Sequence, residues 1–177
     1  LGNDVIIGGE GNDTIYGGAG DDLIAGGDGD DLLSGGTGSD QVYAESGDDI
    51  LVHSVADNLG QRDFLDGGAG YDVVRLLLSP AQMTDAALQA EISALAGLVT
   101  RNADAGRDTG PVFTSSLLGL DIRNIEAIEV NGVAATAGMP TIYVDPNAPD
   151  GGNGSQAHPF NSWYEVDWAP GTTYLQK

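Results

Sequence analysis

Residues 1–75 repeat every nine residues, and that period constrains the fold more than any other feature of the chain. The units read LGNDVII, GGEGNDTIY, GGAGDDLIA, GGDGDDLLS, GGTGSDQVY and AESGDDILV. The sixth place is aspartate at Asp4, Asp13, Asp22, Asp31, Asp40 and Asp49, and the eighth is aliphatic at Ile6, Ile15, Ile24, Leu33, Val42 and Leu51. A fixed period of this kind specifies a stack of small units, none of which can bury its apolar side chain alone. The phase survives an interruption. HSVADNLGQRD (53–63) reads as one turn with a five-residue insertion ending at Asp63. Leu65 then returns to the aliphatic place, and GGAGYDVV brings in Asp72.

Each unit divides into a glycine-rich turn of six residues and a strand of three. A strand that short gains stability only by stacking its inward side chain on those of its neighbours. A turn reverses the chain, so two units make one coil of 18 residues. The aspartates therefore form two edges: Asp4, Asp22, Asp40 and Asp63 on one, Asp13, Asp31, Asp49 and Asp72 on the other. Carboxylates stacked about 5 Å apart repel by roughly 3 kcal/mol at an effective dielectric near 20. A hard divalent cation between successive turns removes that repulsion. It takes carboxylate oxygens together with carbonyls of the turn glycines: Gly8, Gly9, Gly11, Gly17, Gly18, Gly20, Gly26, Gly27, Gly29, Gly35, Gly36, Gly38, Gly67, Gly68 and Gly70. An all-oxygen shell favours calcium over magnesium, and a chain with no cysteine and two histidines offers little to softer metals. The edges accommodate up to about six Ca2+ ions, three on each.

The composition agrees with this division. The chain carries 27 acidic and 6 basic residues and 28 glycines, for a net charge of −21, and 16 of the acids but only 2 of the bases fall within residues 1–75. That balance excludes a nucleic-acid binder, which needs a basic footprint. No apolar run reaches the about 18 residues of a membrane span, and the N-terminus shows no signal-peptide pattern. Without cysteine there is no disulfide framework and no thiolate metal site. So much like charge opposes a compact state unless something positive binds.

The unit GGxGxDxUx resembles that of the RTX (repeat-in-toxin) calcium-binding proteins. The resemblance covers residues 1–75 and implies a right-handed parallel β-roll with calcium in the turns, on a bacterial protein secreted to the extracellular space by a type I system. Two turns depart from it: AESGDD (44–49) lacks the glycine pair, and NLGQRD (58–63) sets Arg62 beside the aspartate. The pairs Asp40 with Asp63, Asp31 with Asp49 and Asp49 with Asp72 depend on those turns.

The expected fold is thus all-β dominated, a parallel β-roll with a helix-containing C-terminal cap. Residues 76–139 form the cap. Ser79-Pro80 starts a helix, 81–100 sets Leu88, Ile92, Leu95 and Val99 on one face, 101–111 is a polar loop, and LLGLDIRNIEAIEVNGV supplies two short strands. This segment is similar to modules that follow RTX repeats. Residues 140–177 read as the start of a following domain, with strands at TIYV and TTYLQK. Their YVDPNAPDGGNGS…HPF…APGTTYL order resembles the N-terminal edge of right-handed parallel β-helix enzymes acting on polysaccharides, and the start at Leu1, inside a repeat, fits a fragment of a larger protein.

No GxSxG, HExxH, phosphate loop or dinucleotide motif occurs, so no catalytic residue is assigned to this chain. His53 is read as a functionless loop histidine in the inserted turn, and Glu126 with Glu129 as a solvated face. Asp145, Asn147 and Asp150 lack the glutamate of an EF-hand loop. Three functions remain open. The chain is a calcium-binding module of a larger secreted protein, folding on calcium after export and stabilising the adjoining domains. Alternatively, it belongs to a polysaccharide lyase or epimerase, with calcium bridging it to an acidic glycan, or it is an adhesin spacer.

Overall fold

The computed structural model describes residues 2–103, 112–135, 141–144 and 173–176. Each nonapeptide contributes one strand: β1 (Val5–Glu10), β2 (Thr14–Ala19), β3 (Leu23–Asp28), β4 (Leu32–Thr37), β5 (Gln41–Ser46), β6 (Ile50–Ser54), β7 (Asp63–Asp66) and β8 (Val73–Leu77). Odd-numbered strands pair in parallel in one sheet and even-numbered strands in a second. Partners lie one coil apart, as Ile6 with Ile24 and Ile24 with Val42, or Ile15 with Leu33 and Leu33 with Leu51. The insertion is absorbed without loss of register, since Val42 pairs with Leu65 and Leu51 with Val74. Ile24, Leu33, Val42, Leu51, Leu65 and Val74 are buried between the sheets. The chain is a strand-dominated parallel roll.

The strands are longer than the sequence alone indicates. In β1 to β5 they run for six residues, through the glycine pair or its substitute, and leave turns of three. The second glycine of the pair permits this. Gly27 has φ 121°, and a Cβ there would strike the carbonyl of Gly9 in the coil below. With no Cβ, the two backbones stay in register as the partners Gly9 and Gly27.

The fall in acidity after residue 75 does not end the sheets. The chain continues through α1 (Pro80–Met83), α2 (Ala86–Ala103), β9 (Phe113–Ser115), β10 (Leu120–Arg123), β11 (Ala127–Val130) and β12 (Val133–Ala135). Strand β10 adds in parallel to β7, with Ile122 opposite Leu65, and β11 adds in parallel to β8, with Ile128 opposite Val74. The aliphatic column thus gains Ile122 and Ile128, both buried. Each sheet then ends in an antiparallel strand, β9 on β10 and β12 on β11.

The helical segment is two helices, not one. Ser79 caps α1 in a capping box with Gln82, and Pro80 stands in the first turn, as the sequence indicates. The turn closes at Thr84, whose hydroxyl donates to the Ala81 carbonyl. Asp85 then begins α2 by accepting the amides of Ala87 and Leu88. Leu88, Ile92, Leu95 and Val99 are buried on one face of α2, which lies against β9, β11 and β12. Burial of each such side chain contributes about 1.5–3 kcal/mol. Residues 101–103 belong to α2 rather than to a loop, and 104–111 lie outside the described residues.

At TIYV and TTYLQK, β13 (Thr141–Val144) pairs in parallel with β14 (Thr173–Gln176). His158 and the segment 145–172, with Asp145, Asn147, Asp150 and the aromatic NSWYEVDW, fall outside the described residues. No helix among the described residues is long and apolar enough to cross a membrane.

Candidate metal centre

The turns between strands form two edges, and a ladder of side chain to main chain bonds runs along each. The amide of Asp4 donates to Asp22 Oδ1 at 2.8 Å, that of Asp22 to Asp40 Oδ1 at 2.8 Å, and that of Asp40 to Asp63 Oδ1 at 3.0 Å. On the opposite edge Asp13 donates to Asp31, Asp31 to Asp49 and Asp49 to Asp72 at 2.7–3.0 Å. Each carboxylate after the first on its edge therefore meets a backbone donor of the preceding coil, which offsets part of the repulsion that bare stacking implies. A second ladder, not read from the sequence, lies outside the first and runs the other way. Asn3 accepts the amide of Asp21, Asp21 that of Ser39, Asn12 that of Asp30, Asp30 that of Asp48, and Asp48 that of Tyr71. Its signal was present: the place before each repeat aspartate is Asn or Asp in five of the first six units.

Oδ1 is engaged in these ladders; Oδ2 is not. Among the described residues, the Oδ2 atoms of Asp13, Asp22, Asp31, Asp40, Asp49 and Asp72 are buried without a hydrogen-bond partner. An unsatisfied buried polar atom costs about 1–3 kcal/mol, and more when charged. Their surroundings repeat. A Cβ on Gly8 would lie against both Asp13 Oδ2 and the Gly26 carbonyl, and one on Gly17 against Asp22 Oδ2 and the Gly35 carbonyl. For Gly26 the neighbours are Asp31 Oδ2 and the Ala44 carbonyl. The first glycine at positions 8, 17 and 26 thus leaves a carboxylate oxygen and a main-chain oxygen of the next coil converging beside it. Among the described residues no three His, Cys, Asp or Glu side chains converge on one point. An ion there would draw much of its shell from main-chain carbonyls, and such hard oxygen ligands fit calcium.

The carbonyls divide by position in the unit. Those of Gly26 and Gly35 lie beside the unpartnered carboxylate oxygens, whereas those of Gly9 and Gly18 pack against Gly27 and Gly36, and those of Gly20, Gly29 and Gly47 against Gly38, Gly47 and Gly70. Electrostatics follow the burial. Desolvation pushes Asp40 and Asp49 up to about 6 and Asp72 up to about 7, against the amide bonds from Asp22, Asp31 and Asp49 that pull each down and with neighbouring carboxylates that push further.

Two positions of the expected set differ. Asp4, at the start of its edge, is exposed. Asp63 uses Oδ2 within the protein: His53 Nδ1 lies 2.7 Å away and Asn58 Nδ2 donates at 2.7 Å. His53 is accordingly no loop histidine. It lies on β6, is 1% exposed, and its Nε2 is 2.8 Å from the Leu118 carbonyl. Counting nines from Ala44 puts His53 at the first place of a unit, where the other turns carry a small residue. Its imidazole bridges a carboxylate and a carbonyl there.

The divergent turns are accommodated differently. In 44–49, Glu45 takes a left-handed conformation with φ 79°, and Asp49 keeps its buried, unpartnered oxygen. In 58–63, Arg62 turns away from the aspartate to Asp121. The acidic pair read as a solvated face also separates. Glu129 binds Arg75, while Glu126 accepts the amide of Asp72 at 2.8 Å and burial raises its pKa.

Residues 1–33, 26–54 and 60–75 match the family model of the RTX calcium-binding nonapeptide repeat (4 copies). No curated protein and no solved structure matches the chain.

Proposed function

We propose, from the premise that residues 1–75 are RTX calcium-binding nonapeptide repeats, that this stretch is a calcium-dependent folding module of a larger secreted bacterial protein. RTX repeats are typical of such proteins. The observation that carries the reading is the set of buried, unpartnered Oδ2 atoms on Asp13, Asp22, Asp31, Asp40, Asp49 and Asp72. Asp22, Asp31, Asp40, Asp49 and Asp72 use Oδ1 to hold the preceding coil, and Asp13, Asp22, Asp31, Asp40 and Asp72 present Oδ2 beside the first-place glycines Gly8, Gly17, Gly26, Gly35 and Gly67. Calcium, when bound, supplies the positive charge that the ionised oxygens require. The ladders set the spacing of the coils, and the glycines keep side chains out of the oxygen clusters.

A ligand that binds only the folded state stabilises it by mass action. Where calcium is scarce the net charge of −21 keeps the chain extended. In the roughly 10⁻⁴–10⁻³ M range of extracellular calcium modules, the coils close. Closure also organises the chain beyond the repeats, because β10 and β11 complete the sheets that the repeats begin. The decisive measurement is a calcium titration of far-UV circular dichroism at pH 7.5, with magnesium as control. A cooperative gain of β signal with calcium alone is expected. Full β signal in chelator overturns the reading.

A further inference from the structure

We propose that Asp72, Asn124 and Glu126 form a further calcium site that lies half outside the nonapeptide repeats. The inference rests on the repeats' calcium-binding reading but extends it to a turn with no repeat motif. Asp72 is 0% exposed, and its Oδ2 is buried without a partner. A Cβ on Gly67 would lie against that oxygen and against the Asn124 carbonyl. The same arrangement holds at Gly8, with Asp13 Oδ2 and the Gly26 carbonyl, and at Gly17, with Asp22 Oδ2 and the Gly35 carbonyl. Asn124 therefore occupies the place that the next coil's first residue takes in a repeat turn.

Glu126 completes the correspondence. Its Oε2 accepts the amide of Asp72 at 2.8 Å, as Asp72 Oδ1 accepts the amide of Asp49 at 3.0 Å. It directly precedes Ala127, the partner of Val73, just as Asp72 directly precedes Val73. The turn is cut to three residues between β10 and β11, against six for 67–72, and the extra methylene of glutamate suits the shorter path. Asn124 adopts φ 52°, and its side chain donates to Asp66 Oδ1 at 2.8 Å, which ties the turn to β7. Arg123 pairs with Asp66, so the nearest cation on this turn is already engaged. What converges beside Gly67 is carboxylate and carbonyl oxygen, the donor set of a hard divalent ion. The edge that begins at Asp13 then holds four such positions rather than three.

Equilibrium dialysis with radioactive calcium tests this on the full chain and on Glu126→Gln, which keeps an acceptor for the Asp72 amide and removes the charge. The variant should bind one ion fewer, or bind one ion about tenfold or more weakly. Glu129→Gln, which removes the same charge on the adjoining strand, should match the parent chain. Identical stoichiometry and affinities in Glu126→Gln overturn the site, whereas a parent chain that binds no calcium overturns the repeat reading itself. If Glu126→Gln loses its β signal in saturating calcium, Glu126→Asp decides, since the charge stays and only the reach is shortened. It too should weaken one ion, and an unchanged count with unchanged affinities defeats the proposal.

Discussion

At the scale of single residues, the first place of the unit controls what its turn can hold. Glycine there leaves two oxygens converging; histidine there fills the same place with ring nitrogens. Gly17→Ala sets these apart, because the new methyl would lie against Asp22 Oδ2 and the Gly35 carbonyl. The variant should bind one calcium fewer and need more calcium to reach half its β signal, and an unshifted titration would count against the convergence of oxygens at that turn. The repeat aspartates and their two edges were legible directly from the period. So was the place of His53, had the count of nine been carried past Ala44, though its partners Asp63 and Leu118 were not, since 10 and 65 residues separate them. Nothing in the sequence distinguishes Oδ1 from Oδ2. That division appears only once an amide of the preceding coil claims one of them.

At the scale of elements, the strands were legible in number and facing but not in length. Glycine has low strand propensity, yet a stacked coil lets it pair in extended form where a side chain would collide. The helical segment shows the opposite limit. Periodicity marked the buried face through Leu88, Ile92, Leu95 and Val99 correctly, but Thr84 and Asp85 divide the run by local hydrogen bonds that periodicity does not sense. Asp85→Ala should remove the two accepted amides at the start of α2 and cost about 1 kcal/mol. Urea unfolding in saturating calcium measures it. No loss would mean that packing against β9, β11 and β12 alone holds the helix. Glu126 escaped sequence reading because the turn that it belongs to carries neither glycine pair nor aspartate. It reaches the edge through 54 residues of intervening chain.

For the whole molecule, the acidic excess makes stability depend on pH in an unusual direction. Burial raises Asp40 and Asp49 to about 6 and Asp72 to about 7, above the ordinary 3.8. Such groups take up protons on folding, so metal-free stability grows as pH falls from about 7 toward 4 and is lost as pH rises through 6 to 7. In chelator, β signal and urea midpoint should both increase from pH 8 to pH 5, while calcium affinity should weaken over the same interval because protons compete for the same oxygens. A metal-free midpoint that drops on acidification to pH 5 contradicts the burial argument. The parallel continuation of both sheets into β10 and β11 also sets a timetable. Early coils close loops of 18 residues, but Asp72 meets Glu126 across 54. Threefold greater separation adds about 1 kcal/mol of closure entropy. The repeats can therefore wind in quick succession, whereas the final coil, with the costlier closure, arrives later. The slowest step of assembly belongs to the part of the roll with no repeat in it.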